Sequence, residues 1–277
     1  MLESLRTGLA AAWQRVHGLF SDTPVGSPVA SCPLAGGNCK TVSDKVKDRL
    51  DAAQEAIAYA KNKLSYGAGN QKPSLDSSNF NSYFRMQVAR DDGYFTTNPE
   101  IEKLKSQSIS SYIAAKAELA QGGNCGEHAF VVYDYLRKKF PDEYIQITQV
   151  KDFDHAFVMI GDPTKEGADK VVIADAWPTN PTPVLWEDHF AFPYSKESPI
   201  LNISSSQGDA RDYKQEMLNA GLSLTEAGQA QTKLSLSPTE TARKIEQGIA
   251  DHWVWNHPAT AITPYDYQTS SGGTGPP

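Results

Sequence analysis

Residues 122–177 decide the fold of this chain: GGNCGEHAFVVYDYLRKKF (122–140), then YIQITQV (144–150), HAFVMI (155–160) and VVIADAW (171–177). Glu127 to Phe140 reads as a helix, because Ala129, Val132, Tyr133 and Leu136 fall on one face and Pro141 stops it. The three runs after it are short and rich in β-branched and aromatic residues, as strands are. Asp162-Pro163 and Glu166-Gly167 supply the turn between the last two. A helix followed by closely connected strands is an α+β layout, with a helical part packed on a small antiparallel sheet.

Working outward, the upstream sequence is helical. From Ser43 to Tyr66 the apolar positions Val46, Leu50, Ala53, Ile57, Ala60 and Leu64 recur at helical spacing, and Gly67 stands where the helix would stop. Further helices are expected over Asn79–Arg90 and over Glu100–Ala120, the latter entered through Asn98-Pro99 and packed by Ile101, Leu104, Ile109, Ile113 and Leu119. Beyond Pro178 order is harder to read. Leu185–Phe192 is rich in aromatics, Asp209–Ala220 and Thr239–Trp253 carry helical patterns, and Gln268–Pro277 has the composition of a disordered tail. Residues 21–42 are rich in Ser, Pro, Gly and Ala without periodicity. The expected organisation is an N-terminal helix and flexible secretion or linker segment over 1–42, one folded domain over 43–265, and a disordered tail over 266–277.

Of 277 residues, 39% are hydrophobic, enough for one sizeable core. The 26 basic and 33 acidic side chains give a formal charge of −7, and no run of Lys and Arg offers to neutralise a row of phosphates, so nucleic acid is not an expected partner. No apolar stretch approaches the roughly 18 residues of a membrane span. In MLESLRTGLAAAWQRVHGLF, Glu3 sits where a signal peptide carries only positive charge, and Arg6 and Arg15 bracket too short an apolar run for a cleaved one. That opening reads either as an amphipathic docking helix or as a segment recognised by a secretion machine. Cys32 and Cys39, in CPLAGGNC, can close a small disulfide ring or remain two ordinary thiols. Their six-residue spacing does not suit a metal pair.

Cys125 is then the single thiol. Gly122 and Gly123 allow a tight turn before it, and its place at a helix start exposes it to the positive end of the dipole and to unpaired N–H groups, which favour thiolate over thiol. Most lone cysteines are small buried hydrophobes, so its neighbours must carry the case. His155 opens a strand after a polar turn, where an imidazole can reach a helix start on the adjoining layer. Asp175 sits near the end of an apolar strand, where a carboxylate is costly to bury without a partner, and a histidine on the neighbouring strand is such a partner. The alternatives are an edge histidine and a turn-forming carboxylate. The three together point to nucleophile, base and orienting acid. Gln121 and Asn124 are the amides available to assist an oxyanion hole, Gln121 slightly preferred because Asn124 also suits a helix cap. Cys125, His128, His155 and Asp175 could also be written as zinc ligands. A structural zinc would more naturally take Cys32 and Cys39, so no metal is expected, and His128 reads as a helix-surface or supporting residue. The aromatic group His252, Trp253, Trp255 and His257 reads as core.

The order of a Cys at a helix start, a His at a strand start and an Asp in Asp-x-Trp ending the next strand resembles the papain-like and transglutaminase-like cysteine enzymes, over about Gly122–Trp177. The resemblance implies Cys125 as nucleophile, His155 as base, Asp175 as orienting acid and Trp177 as the aromatic that follows the acid near the substrate. It implies a cysteine hydrolase that needs no cofactor and acts on a protein substrate, such as a host protein, as glutamine deamidase or protease. The same scaffold serves transglutaminase-type cross-linking enzymes and inactive binding modules. A bacterial secreted effector or toxin is the expected setting: a monomer, exported without a cleaved signal and acting in a target-cell cytoplasm.

Overall fold

The computed structural model describes residues 39–256 and 266–269. Helix α1 spans Asp44–Lys63, where Ser43 caps the Val46 N–H and the buried face is the one read from the sequence, Val46 through Ala60. Short α2 (Lys72–Ser77) and α3 (Asn81–Arg90) follow. The single helix expected over Glu100–Ala120 is two, α4 (Pro99–Gln107) and α5 (Ile109–Ala120). Ser108 separates them, with φ −148° and ψ 87° and a side chain that accepts from the Ser111 N–H. A hydroxyl that bonds the neighbouring backbone competes with the helix it interrupts. Helix α6 then runs Cys125–Lys139.

Five antiparallel strands form the main sheet: β2 (Ile145–Val150), β3 (Ala156–Ile160), β4 (Val172–Ala174), β5 (Val184–Leu185) and β6 (Ile200–Ser206), in the order β5-β4-β3-β2-β6. Val158 pairs with Ala174 and Ile147 with Val158. The edge strand β6 carries a bulge opposite Ile147/Thr148, and its serine-rich ILNISSS gave no alternation by which to recognise it. Helices α7 (Tyr213–Asn219), α8 (Glu226–Gln231) and α9 (Pro238–Ala250) complete the helical part.

Two expectations at the ends are corrected. Asp266–Thr269, in the expected disordered tail, forms strand β7, parallel to β1 (Cys39–Val42), which falls within the expected linker. The pairing is anchored on the body: Lys40 Nζ meets Asp188 Oδ1 at 2.7 Å and the Tyr267 hydroxyl donates to Asp188 Oδ2 at 2.8 Å. Neither segment has a local pattern of its own, and each depends on the other across the chain. Cys39 is disulfide-bonded. The other half of the expected pair, Cys32, lies outside the described residues, as do the N-terminal amphipathic segment and His257.

Helices α1 and α6 cover one face of the sheet, packing Leu50, Ile57, Val132 and Leu136 on Ile145, Ile147, Val158 and Val172. The other face is closed by Phe157, Met159, Ile173 and Val184 with Trp186 and Ala191 from the aromatic-rich segment. A buried ionic group fixes the direction of α6: Asp134 accepts from Ser111 of α5 at 2.8 Å and from Arg137 at 2.9 Å. Buried charge held by several partners specifies a position more than it stabilises one. Here it joins α6 to α5 through Ser111.

Candidate active site

Cys125 is the first residue of α6 and partly exposed as a free thiol. Its N–H, at a helix start, has no intrahelical acceptor. The turn that presents it depends on close packing: a Cβ on Gly123 would lie 2.2 Å from Glu127 Cβ. Glu127 accepts the Asn124 N–H at 2.7 Å and is held from the other side by Arg90 through two contacts of 2.9 and 3.0 Å. The reciprocal approach of the Asn124 side chain falls short of a hydrogen bond, leaving its Oδ1 buried and unpartnered beside the cysteine.

His155 directly precedes β3, and Asp175 directly follows β4. The β3–β4 register sets the two segments side by side, and His155 Nε2 donates to Asp175 Oδ2 at 2.7 Å, with His155 4% and Asp175 3% exposed. Cys125 is near enough to act on the same imidazole. Because Asp175 occupies Nε2, Nδ1 is the nitrogen left for the thiol. The second carboxylate oxygen of Asp175 accepts the Trp177 N–H at 3.0 Å. The Trp177 ring packs on His155, centroids 4.9 Å apart, and Asn70 accepts its indole N–H at 3.1 Å.

The charges fit these contacts. Burial opposes a charged His155, but the Asp175 carboxylate and then Cys125 outweigh it and raise its pKa. Burial likewise opposes an ionised Asp175, yet His155 and His189 hold it well below the usual carboxylate range. The Asp175 carboxylate therefore favours the imidazolium that His155 becomes on taking a proton. Burial pushes Lys61, half-buried at the end of α1, down to about 8 against the pull of Asp175.

Of the residues read from sequence, the structure brings Cys125, His155, Asp175, Asn124 and Trp177 together. Gln121 is engaged elsewhere: exposed, in the left-handed region (φ 58°), it ends α5 and its amide oxygen accepts from Arg85 Nη1 at 3.2 Å. Asn124, directly before Cys125 at the helix start, is the other amide. His128 is not on the helix surface but fully buried. Its Nδ1 bonds the Asn124 carbonyl at 2.8 Å, its Nε2 is unpartnered, and burial followed by Lys61 pushes its pKa down to about 4. Trp255, read as core, is 36% exposed and meets Trp177 edge-on at 5.5 Å, so it extends the aromatic wall beside His155.

His189 was missed. It sits in the aromatic-rich segment, and Nε2 faces Asp175 Oδ2 at 3.3 Å. A buried histidine among aromatics needs a partner as much as a buried carboxylate does, so His189 carries the same signal in the sequence as Asp175. Among the described residues, His155, Asp175 and His189 converge closely enough to suggest a metal site. The hydrogen bonds argue otherwise. The Ala191 N–H donates to His189 Nδ1 at 3.3 Å, so Nε2 carries the proton, whereas a metal-bound imidazole uses that lone pair and donates from its other nitrogen. No family model, no curated protein and no solved structure matches this chain.

Proposed function

We propose that the protein is a cysteine-dependent amide hydrolase of papain-like or transglutaminase-like type, acting on a protein substrate as a glutamine deamidase or protease. One observation carries this: three residues from three separate elements meet at one place, with His155 Nε2 2.7 Å from Asp175 Oδ2 and Cys125 near enough to act on the same imidazole. A buried, oriented base beside a partly exposed thiol is what nucleophilic acyl transfer requires.

In this mechanism the Cys125 proton passes to His155 and the sulfur adds to the substrate carbonyl. The oxyanion is met by the Cys125 N–H, with the Asn124 side-chain amide as a second donor. Imidazolium Nδ1–H then protonates the leaving nitrogen, the C–N bond breaks and a thioester remains. Water, deprotonated by His155, adds to the thioester, and expulsion of the thiol restores the enzyme and releases the acid. Asp175 keeps the imidazole in the productive tautomer throughout. Trp177 and Trp255 wall the cleft on the His155 side and suit the apolar part of a substrate chain. The setting proposed with this chemistry is a secreted bacterial effector or toxin working in a target-cell cytoplasm, which rests on the family resemblance alone.

Incubation of candidate target proteomes with the protein and with its Cys125→Ala variant, followed by mass spectrometry, tests the proposal. Deamidated glutamines indicate a deamidase, new termini a protease and cross-linked peptides a transglutaminase. Identical proteomes from both samples would count against hydrolysis and favour a binding role.

A further inference from the structure

His189 follows the short turn Trp186–Asp188 and is 4% exposed. Its ring lies 6.2 Å from that of His155 and within 16° of parallel. Phe190 touches both imidazoles, at 4.2 Å for His189 and 5.1 Å for His155, and Phe157 does the same at 4.6 and 5.8 Å. Neither ring can turn without moving an aromatic neighbour. The segment is pinned from outside by Lys40 and Tyr267 on Asp188, the residue before it.

The tautomer is fixed by the backbone. Since the Ala191 N–H donates to Nδ1, the Nε2–H of His189 points at Asp175 Oδ2, the same oxygen that receives the His155 proton. With the Trp177 N–H on the other oxygen, three donors hold the carboxylate. The remaining titratable groups near Asp175 are Lys61 at the end of α1 and His128 on α6, which act on it by charge alone.

We propose that His189 is a positioning residue of the candidate active site, a neutral Nε2–H donor that fixes the Asp175 carboxylate for His155 and extends the Cys125–His155–Asp175 triad to a fourth member. The inference rests on the cysteine-hydrolase reading given above. A hydrogen bond donated to the carboxylate draws off part of its charge and sets its plane. Without that bond Asp175 is more basic and holds the shared proton more tightly, so the His155 imidazolium persists to higher pH. A residue that only filled space would not have this effect.

Iodoacetamide alkylation of Cys125 followed against pH in the wild type, His189→Phe, His189→Gln and His155→Ala is the test, joined by histidine 15N spectra of the wild type. Phe keeps the ring packing and removes the donor; Gln restores an N–H near the position of Nε2. The inflection of the His189→Phe profile that reports His155 is expected to rise by about 0.5–1 pH unit, and His189→Gln should recover most of that shift. The 15N spectrum should show His189 neutral with its proton on Nε2. A folded His189→Phe with the wild-type profile, or a His189 proton on Nδ1, overturns the proposal. If neither variant folds, the wild-type tautomer decides it. Fast alkylation that survives His155→Ala would instead bring down the hydrolase reading, and the role of His189 with it.

Discussion

Asp175→Asn keeps the size of the side chain and removes its charge. Asp175 accepts from His155 at 2.7 Å, from His189 at 3.3 Å and from the Trp177 N–H at 3.0 Å. An asparagine cannot serve all three. With its oxygen toward Trp177, the amide N–H₂ confronts two imidazole N–H donors; with its oxygen toward the histidines, it confronts the Trp177 N–H. A buried donor left without an acceptor costs about 1–3 kcal/mol, so stability should fall by about that much. His155 can escape by moving its proton to Nδ1, which removes the lone pair that must take the thiol proton. Reactivity should therefore fall by roughly ten- to a thousandfold, or about 1.4–4 kcal/mol of barrier. The His155 pKa, raised in the wild type by Asp175 against the effect of burial, should drop. The sign of the stability effect follows from both partners. Asp175, with its pKa depressed below the ordinary 3.8, contributes fully above that value and loses its contribution as pH falls through the folded pKa. His155, with its pKa raised above 6.5, contributes fully below that value and loses its contribution as pH rises through the folded one. The stability gap between wild type and variant should be widest between about pH 4 and 6.5. Urea denaturation across that range, with Cys125 alkylation rates on the same samples, measures both effects. An unchanged alkylation profile and an unchanged midpoint would remove Asp175 from the site and make Asp154 and Asp152 the next acids to examine.

Cys125→Ala should unfold within about 0.5 kcal/mol of wild type, because a partly exposed thiol at a helix start contributes little packing; a large loss in calorimetry would recast Cys125 as structural. His128 is buried and neutral, with its pKa down to about 4 from 6.5, so the wild type should lose on the order of 3 kcal/mol as pH falls from 6.5 to 4. His128→Leu should flatten that part of the curve, and an unflattened decline in the variant places the acid sensitivity elsewhere. Gly123→Ala drives a Cβ to 2.2 Å from Glu127 Cβ, whereas a Cβ on Gly126 meets nothing within 4 Å. The first should cost about 1–3 kcal/mol and slow Cys125 alkylation, while the second should match or exceed wild-type stability by up to about 1 kcal/mol. Equal stabilities for the two would mean that Glu127 is not the close neighbour described.

The helices with a strong apolar repeat were legible, α1 most fully, because one face had to be buried and the spacing says which. The three central strands were legible for the same reason, their branched and aromatic runs being flanked by turn residues. Strand β6 was not, since Ser204, Ser205 and Ser206 on a half-exposed edge carry no apolar alternation. β1 and β7 were not, because each is a strand only through the other. At the site, Cys125, His155 and Asp175 were legible as expensive or special placements: a thiol after two glycines, and polar groups at the ends of apolar strands. Their mutual distance was not, since it depends on register. Gln121 had a slight preference over Asn124 because an asparagine there also suits a helix cap, and the αL backbone of Gln121 and its hydrogen bond from Arg85 are features of tertiary structure with no local pattern. His128 was misplaced because a histidine three residues into a helix can face either way.

The central claim is that Cys125 reacts as a nucleophile because His155, held by Asp175, takes its proton. Intact-mass spectrometry of the protein with iodoacetamide near pH 6.5, in parallel with His155→Ala, measures this without knowledge of the substrate. A single adduct should form on Cys125, at least about a hundredfold faster in the wild type than in the variant. Equal rates, or an adduct no faster than that of the unfolded chain, would contradict the account.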